Sequence, residues 1–180
     1  MKRILIFLTI ALFATPVITW AQSSPTDAMF KEYSGKEGYT TVHISKELFS
    51  MMSQMNVETD DPEAKEMIDA MSKLDFIRIL MADKSDVKDF DKFKARIQDF
   101  DLDGYKELML VKEGSETVRF MVKEKGDKTF GEMLMLIDSN EETGFISIVG
   151  SIDINTISKL SKSMNMKGME KLEELNKDDK

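Results

Sequence analysis

The chain has 180 residues, no cysteine, 42% hydrophobic residues and a formal net charge of −8. The absence of cysteine excludes disulfides, thiolate metal sites and a lipid anchor attached through cysteine. The acidic balance argues against nucleic acid and anionic membrane surfaces as partners. This length suits a single domain with its own hydrophobic core.

The first 21 residues have the features of a secretory signal peptide. A basic start precedes an apolar run at 4–13, which is too short to span a bilayer about 30 Å thick, and Pro16 follows it. Small residues near Ala21 predict cleavage after that residue. We therefore expect a periplasmic or secreted protein that is not lipid-anchored, with residues 22–26 as a linker before the fold.

Hydrophobic periodicity and turn residues predict one domain over residues 27–167, with elements in the order α-β-α-α-β-α-β-β-β-β-α. The predicted elements are helix 27–33, strand 39–44, a helix from Ser45, a helix from Pro62, strand 74–81, helix 87–100, strands 105–112, 116–125, 132–138 and 144–152, and a last helix after Asp153. Short, glycine-containing connections predict an antiparallel meander for the last four strands. The expected fold is α+β, a mainly antiparallel sheet with helices packed on one face. Residues 168–180 form a charged tail, either helical or disordered.

The predicted strand at 74–81 is apolar on both faces apart from Arg78, which predicts an interior position in the sheet. A charged residue at such a position is either a partner in a buried ion pair or a contact for a ligand. His43 is the only histidine, and it falls in the first predicted strand. No motif supplies it with a nucleophile, so we expect a structural or surface role.

Asp99, Asp101 and Asp103 stand at alternate positions before Gly104, like the first half of an EF-hand calcium loop. Leu110 occupies the position where that loop needs a bidentate carboxylate. We therefore favour a helix end that turns into a strand, with solvated carboxylates, over a calcium site.

Methionine is abundant, with 15 residues in the chain, and Met164, Met166 and Met169 lie together near the C-terminus. Clustered thioethers in an exported protein are candidate ligands for copper(I). Core and adaptable packing is the interpretation we favour for the methionines, because methionine fills irregular gaps.

Four stretches of the sequence are similar to one exported bacterial family, called domain of unknown function 4252 and found mainly in Gram-negative Bacteroidota. They are FKEYSGKEGY at 30–39, VHISKEL at 42–48, LDFIRIL at 74–80 and GSIDI at 150–154. The resemblance covers nearly all of the predicted mature chain. It implies no catalytic residue, and it suggests a regulatory or stress role in the cell envelope.

The function expected from these observations is a non-enzymatic envelope domain that binds a protein or regulates one. We expect no cofactor and no catalytic residue. One alternative is a carrier that holds a small apolar ligand between helices and sheet, since methionine-rich surfaces suit such ligands. A hydrolase is the third hypothesis, because the many acidic residues allow carboxylate pairs that no spacing singles out.

Overall fold

A computed structural model of the protein describes residues 24–54, 62–126 and 129–153. The elements in these ranges are α1 (Pro25–Tyr33), β1 (Tyr39–Ser45), α2 (Lys46–Gln54), α3 (Pro62–Ser72), β2 (Leu74–Asp83), α4 (Phe90–Gln98), β3 (Tyr105–Glu113), β4 (Glu116–Gly126), β5 (Thr129–Asp138) and β6 (Glu142–Ile152). Their order matches the predicted one. The predicted signal peptide at 1–21, the last predicted helix and the tail at 168–180 lie outside the described residues.

All six strands belong to one sheet in the order β1-β2-β6-β5-β4-β3, and every neighbouring pair is antiparallel. The strands from β3 to β6 form the predicted meander. Gly114 and Ser115 alone join β3 to β4, and the tight turn needs the positive φ of 58° at Gly114. The α+β class, the mainly antiparallel sheet and the interior position of β2 are confirmed.

One face of the sheet is covered by α1 and α4, and we call it the α1/α4 face. Side chains alternate between the two faces along a strand, so Leu134 and Phe145 share this face with buried residues of both helices. Aromatic packing dominates it, with the ring centroids of Tyr33, Tyr39 and Phe93 lying 4.8–5.1 Å apart.

The opposite face is covered by α2 and α3, and we call it the α2/α3 face. Ile77, Met133 and Ile148 point to it from three neighbouring strands. Phe49 of α2 is buried among them, and Met71 of α3 packs against the same cluster. The helices therefore lie on both faces, whereas the sequence pattern predicts them on one. The physical reason is that the interior strands are apolar on both sides, so both faces must be covered.

The first helix begins earlier than the sequence predicts. Pro25 and Thr26 fall in the expected linker 22–26, yet both belong to α1, and Thr26 is buried. Proline is well suited to the first helical position, because its missing N–H would have no partner there. None of the helices in the described ranges is long and apolar enough to span a membrane.

Candidate functional site

A buried carboxylate, Glu132 of β5, is the centre of a polar cluster on the α1/α4 face. It is 6% exposed, and two hydroxyl groups lie within hydrogen-bonding distance of each of its oxygens. Ser147 at 2.6 Å and Thr26 at 3.1 Å face Oε1. Tyr105 at 2.6 Å and Ser24 at 3.3 Å face Oε2. The hydroxyls of Ser24 and Thr26 also lie 2.7 Å from each other, and since each has one proton, three of the four hydroxyls can donate to Glu132 at one time.

The four hydroxyls come from three separate parts of the chain. Ser24 and Thr26 lie at the start of α1, Tyr105 begins β3, and Ser147 lies in β6. The Ser24 side chain makes no capping hydrogen bond to α1, although its carbonyl oxygen accepts the N–H of Asp27 at 2.9 Å. Its hydroxyl instead lies 2.7 Å from that of Thr26 and 3.3 Å from Oε2 of Glu132. The cluster thus joins the N-terminus of α1 to strands far along the chain.

Tyr105 and Ser147 are the two nearest donors to this carboxylate, each at 2.6 Å. Burial raises the pKa of the Tyr105 hydroxyl, and the hydrogen bond that it donates to Glu132 raises that pKa further. The phenol therefore keeps its proton under all ordinary conditions. It serves as a donor in this cluster and is unsuited to act as a general base at neutral pH.

Arg78 lies on the same face and provides a second attachment for α1. Its guanidinium forms an ion pair with Asp27 in the first turn of α1, and both side chains are largely buried. The guanidinium also stacks on Phe76, with its central carbon 4.0 Å from the ring centroid, and it lies 5.3 Å from the Phe30 ring centroid. Of the two roles that the sequence left open, the structure shows the ion pair.

The cluster is arranged as an anchor for a helix. Both oxygens of Glu132 accept hydrogen bonds from hydroxyl groups of the chain itself. His43 is exposed on β1, with its ring centroid 6.0 Å from those of Phe30 and Phe76. This agrees with the surface role expected for His43.

The aspartates of the EF-hand-like segment are all exposed and follow α4 as separate turn residues. The backbone N–H of Asp103 donates to Oδ1 of Asp101 at 3.1 Å, and Asp99 is the C-cap of α4. Gly104 has a φ of 79°, and β3 starts at the next residue. In the described ranges no three His, Cys, Asp or Glu side chains group so that they could hold a metal ion. The copper candidates Met164, Met166 and Met169 lie outside those ranges.

A cavity of about 450 Å³ opens between the end of α1, the start of β1 and the segment before α4. Most of its lining residues are charged or aromatic: Glu32, Tyr33, Lys36, Glu37, Tyr39, Asp86, Val87, Lys88, Asp89 and Lys92. Because carboxylates and ammonium groups alternate around it, the cavity favours neither an anion nor a cation. Its lining is also too polar for the apolar ligand of the carrier hypothesis.

Exposed apolar side chains are grouped on the outer side of α2 and on the adjacent edge strand. Leu48, Met51 and Met52 are exposed at helical spacings of three and four, and Val42 of β1 is exposed on the same face of the sheet. We call these four residues the α2 patch. They lie outside the core, which Phe49 completes from the same helix.

The family model for a domain of unknown function, DUF4252, matches residues 33–160. The chain belongs to the DUF4252 family. No curated protein and no solved structure matches the chain. The DUF4252 region includes Tyr105, Glu132 and Ser147, whereas Ser24 and Thr26 precede it. The family assignment predicted from sequence is confirmed, and the family description assigns no activity.

The polar cluster was not predicted from sequence, although Arg78 was singled out. One usable signal is Glu132 itself, a charged residue in an otherwise apolar strand next to Met133 and Leu134. Ser147 stands in the same way between Ile146 and Ile148. Neither signal identifies the partner, because the hydroxyls of α1 lie more than a hundred residues away in sequence.

Proposed function

We propose that this protein is a non-enzymatic binding domain of the cell envelope, which recognises another envelope protein through the α2 patch. The observation that carries the proposal is the exposure of Leu48, Met51 and Met52 at helical spacing on α2, together with that of Val42 on the sheet face that α2 covers. Grouped apolar residues at a surface mark interaction sites more often than scattered ones do. The occupant would be a protein or peptide with an apolar face.

The composition of the α2 patch supports a protein partner. Met51 is 61% exposed and Leu48 is 46% exposed, so both present much of their apolar surface to solvent. Methionine side chains are flexible and polarisable, and they adapt to partners of different shape. Two methionines beside a leucine therefore suit a surface that accommodates more than one related partner.

The polar cluster supports a non-enzymatic role, since the one buried carboxylate among the described side chains accepts hydrogen bonds on both of its oxygens from hydroxyls of the chain itself. The N-terminal signal-like segment at 1–21 and the absence of cysteine support export in a form without a lipid anchor. Together these features favour a periplasmic or secreted domain that acts by binding.

Affinity capture with chemical cross-linking, from an envelope fraction, tests the proposal. The double variant Leu48→Ser/Met51→Ser is compared with Lys31→Ser, which alters an exposed residue of α1 on the opposite face of the sheet. Substitutions at such exposed sites change stability by about 0.5 kcal/mol or less. We expect a partner that the native chain and Lys31→Ser both retain and that the double variant loses.

Three other outcomes would contradict the proposal. Equal capture by all three chains would show that the α2 patch is not the binding surface. Native mass spectrometry that finds a lipid-sized adduct on the purified chain, displaced by the double variant, would favour the apolar-ligand carrier. Substrate turnover by the purified chain would favour the hydrolase.

A further inference from the structure

The edge strand β3 exposes an unusual row of apolar side chains. β4 pairs with one side of β3, and within the described ranges no strand pairs with the other side. Leu108, Leu110 and Val111 are all exposed on it, whereas the other edge strand, β1, has Val42 as its one exposed large apolar residue. A long, apolar and unpaired edge is a template for pairing with another strand.

The register of β3 against β4 shows which side chains share a face. Leu108 is the extra residue of a β-bulge, because Glu107 pairs with Met121 and Met109 pairs with Phe120. Each residue of β3 lies on the same face as the β4 residue that it pairs with. The residues on the α1/α4 face are Glu107, Leu110 and Lys112, and those on the α2/α3 face are Lys106, Met109, Val111 and Glu113.

We propose that two copies of this chain pair through β3, antiparallel, about a twofold axis that passes beside Leu110. Such an axis runs perpendicular to the sheet, so each face of one copy continues into the same face of the other. Leu110 then lies opposite the partner's Leu110. Met109 lies opposite the partner's Val111, and beyond the bulge Glu107 meets the partner's Lys112. This inference is independent of the function proposed for the α2 patch.

Charge complementarity selects this register. Beyond the apolar centre, Lys106 lies opposite the partner's Glu113, so each copy contributes two pairs of opposite charge. Moving the axis to Lys112 would place two lysines opposite each other and Leu110 opposite Gly114. The charges of β3 therefore favour one alignment, in which apolar residues meet apolar ones and every charge meets its opposite.

The isolated chain also leaves one charge of β3 poorly matched. Glu113 pairs with Glu116 across the β3–β4 turn, and directly opposed like charges are destabilising. The ammonium group of the partner's Lys106 would supply a counter-charge at this position. Within its own copy Lys106 reaches only the exposed Glu124 at 2.6 Å, a surface ion pair that rearranges at small cost.

Charge variants at the axis test the pairing, because a residue on a twofold axis meets its own copy. The native full chain is expected to be a dimer by light scattering. Leu110→Lys and Leu110→Asp should each raise the dimer dissociation constant about tenfold or more, by placing like charges opposite each other. An equal mixture of the two variants should recover dimers, since it places a lysine opposite an aspartate.

Disulfide trapping gives a second, direct measurement, because the native chain has no cysteine. Leu110→Cys should form an intermolecular disulfide under mild oxidation, since opposed residues of an antiparallel pair have Cα atoms about 4.5–5.5 Å apart, within the range that a disulfide bridges. Leu48→Cys, of similar exposure on α2, is the control and should cross-link much more slowly. Circular dichroism establishes that all variants are folded.

The outcomes separate clearly. A native chain that stays monomeric at every concentration overturns the inference. So does a dimer that persists in both charge variants, or one in which Leu48→Cys cross-links as fast as Leu110→Cys. Loss of the dimer in both single variants together with its recovery in the mixture supports the β3 pairing and its register.

Discussion

The six strands present their side chains to two faces, and the buried residues on these faces differ in chemistry. On the α2/α3 face the buried cluster is aliphatic, methionine and phenylalanine side chains. On the α1/α4 face the strands and α1 bury all the polar side chains that are buried in the described ranges: Thr26, Glu132, Thr143 and Ser147. Apolar packing is non-directional, whereas a buried carboxylate requires donors at particular positions. The comparison teaches that α1 is placed by hydrogen bonds to a buried carboxylate, whereas the described side chains of α2 and α3 that join the buried cluster are apolar.

Substitutions of two adjacent residues of β5 should give the largest difference in stability between the two faces. Glu132 and Met133 point to opposite faces and are both buried. Glu132→Leu should lower the free energy of unfolding by about 3–5 kcal/mol, because it leaves the buried hydroxyls of Thr26 and Ser147 and the partly buried hydroxyl of Tyr105 without their acceptor. Met133→Leu conserves volume and should cost less than about 1.5 kcal/mol. Urea denaturation measures both, and equal costs would mean that the two faces are held in the same way.

The contribution of Tyr105 to the stability of the α1/α4 face should depend on pH. Its pKa is raised in the folded chain, so the folded state holds the proton more tightly than the unfolded state, in which the pKa is about 10. Its contribution to stability is complete below about pH 10 and is lost as the pH rises further. Tyr105→Phe should lower stability by about 1–2 kcal/mol at neutral pH and reduce this alkaline loss. Unfolding curves at several pH values test this, and an unchanged alkaline slope would contradict it.

The ion pairs of α1 and α2 should give the smallest difference in stability. Asp27 of α1 pairs with the largely buried Arg78, whereas Asp75 of β2 pairs with the exposed Lys46 of α2 at 2.8 Å. Asp27→Asn should cost about 1 kcal/mol, and Asp75→Asn should change the free energy of unfolding by only a few tenths of a kcal/mol. Thermal unfolding at low and high salt measures both. A larger cost at Asp75 than at Asp27 would show that directed bonds do not distinguish the helices.

Most of the fold could be predicted because its determinants are local. Alternating apolar and polar residues indicate the strands of the meander, and turn residues such as Gly114 indicate where they end. The short connections between these strands favour antiparallel pairing. The two-sided apolar character of β2 was also visible in the sequence. The same pattern also implies that helices cover both faces of the sheet. The prediction of helices on one face did not include this consequence.

The polar cluster could not be predicted in the same way, because it depends on contacts between distant segments. Nothing near Glu132 in sequence indicates that Ser24 and Thr26 will reach it. Serine, proline and threonine are typical of connecting segments, so the sequence predicts a linker where α1 starts. Proline at the first helical position and serine before it are equally typical of a helix start, and tertiary contacts decided between the two readings.

The attachment of α1 has a consequence for the order in which the chain acquires its structure. Among the described elements α1 comes first in the chain, and it is attached to Glu132 of β5, one of the last two strands of the sheet in the described ranges. Contacts of such large sequence separation form only after a long loop has closed. A chain truncated before β5 would therefore carry α1 without its acceptor, and the completed sheet is what gives the beginning of the domain its place.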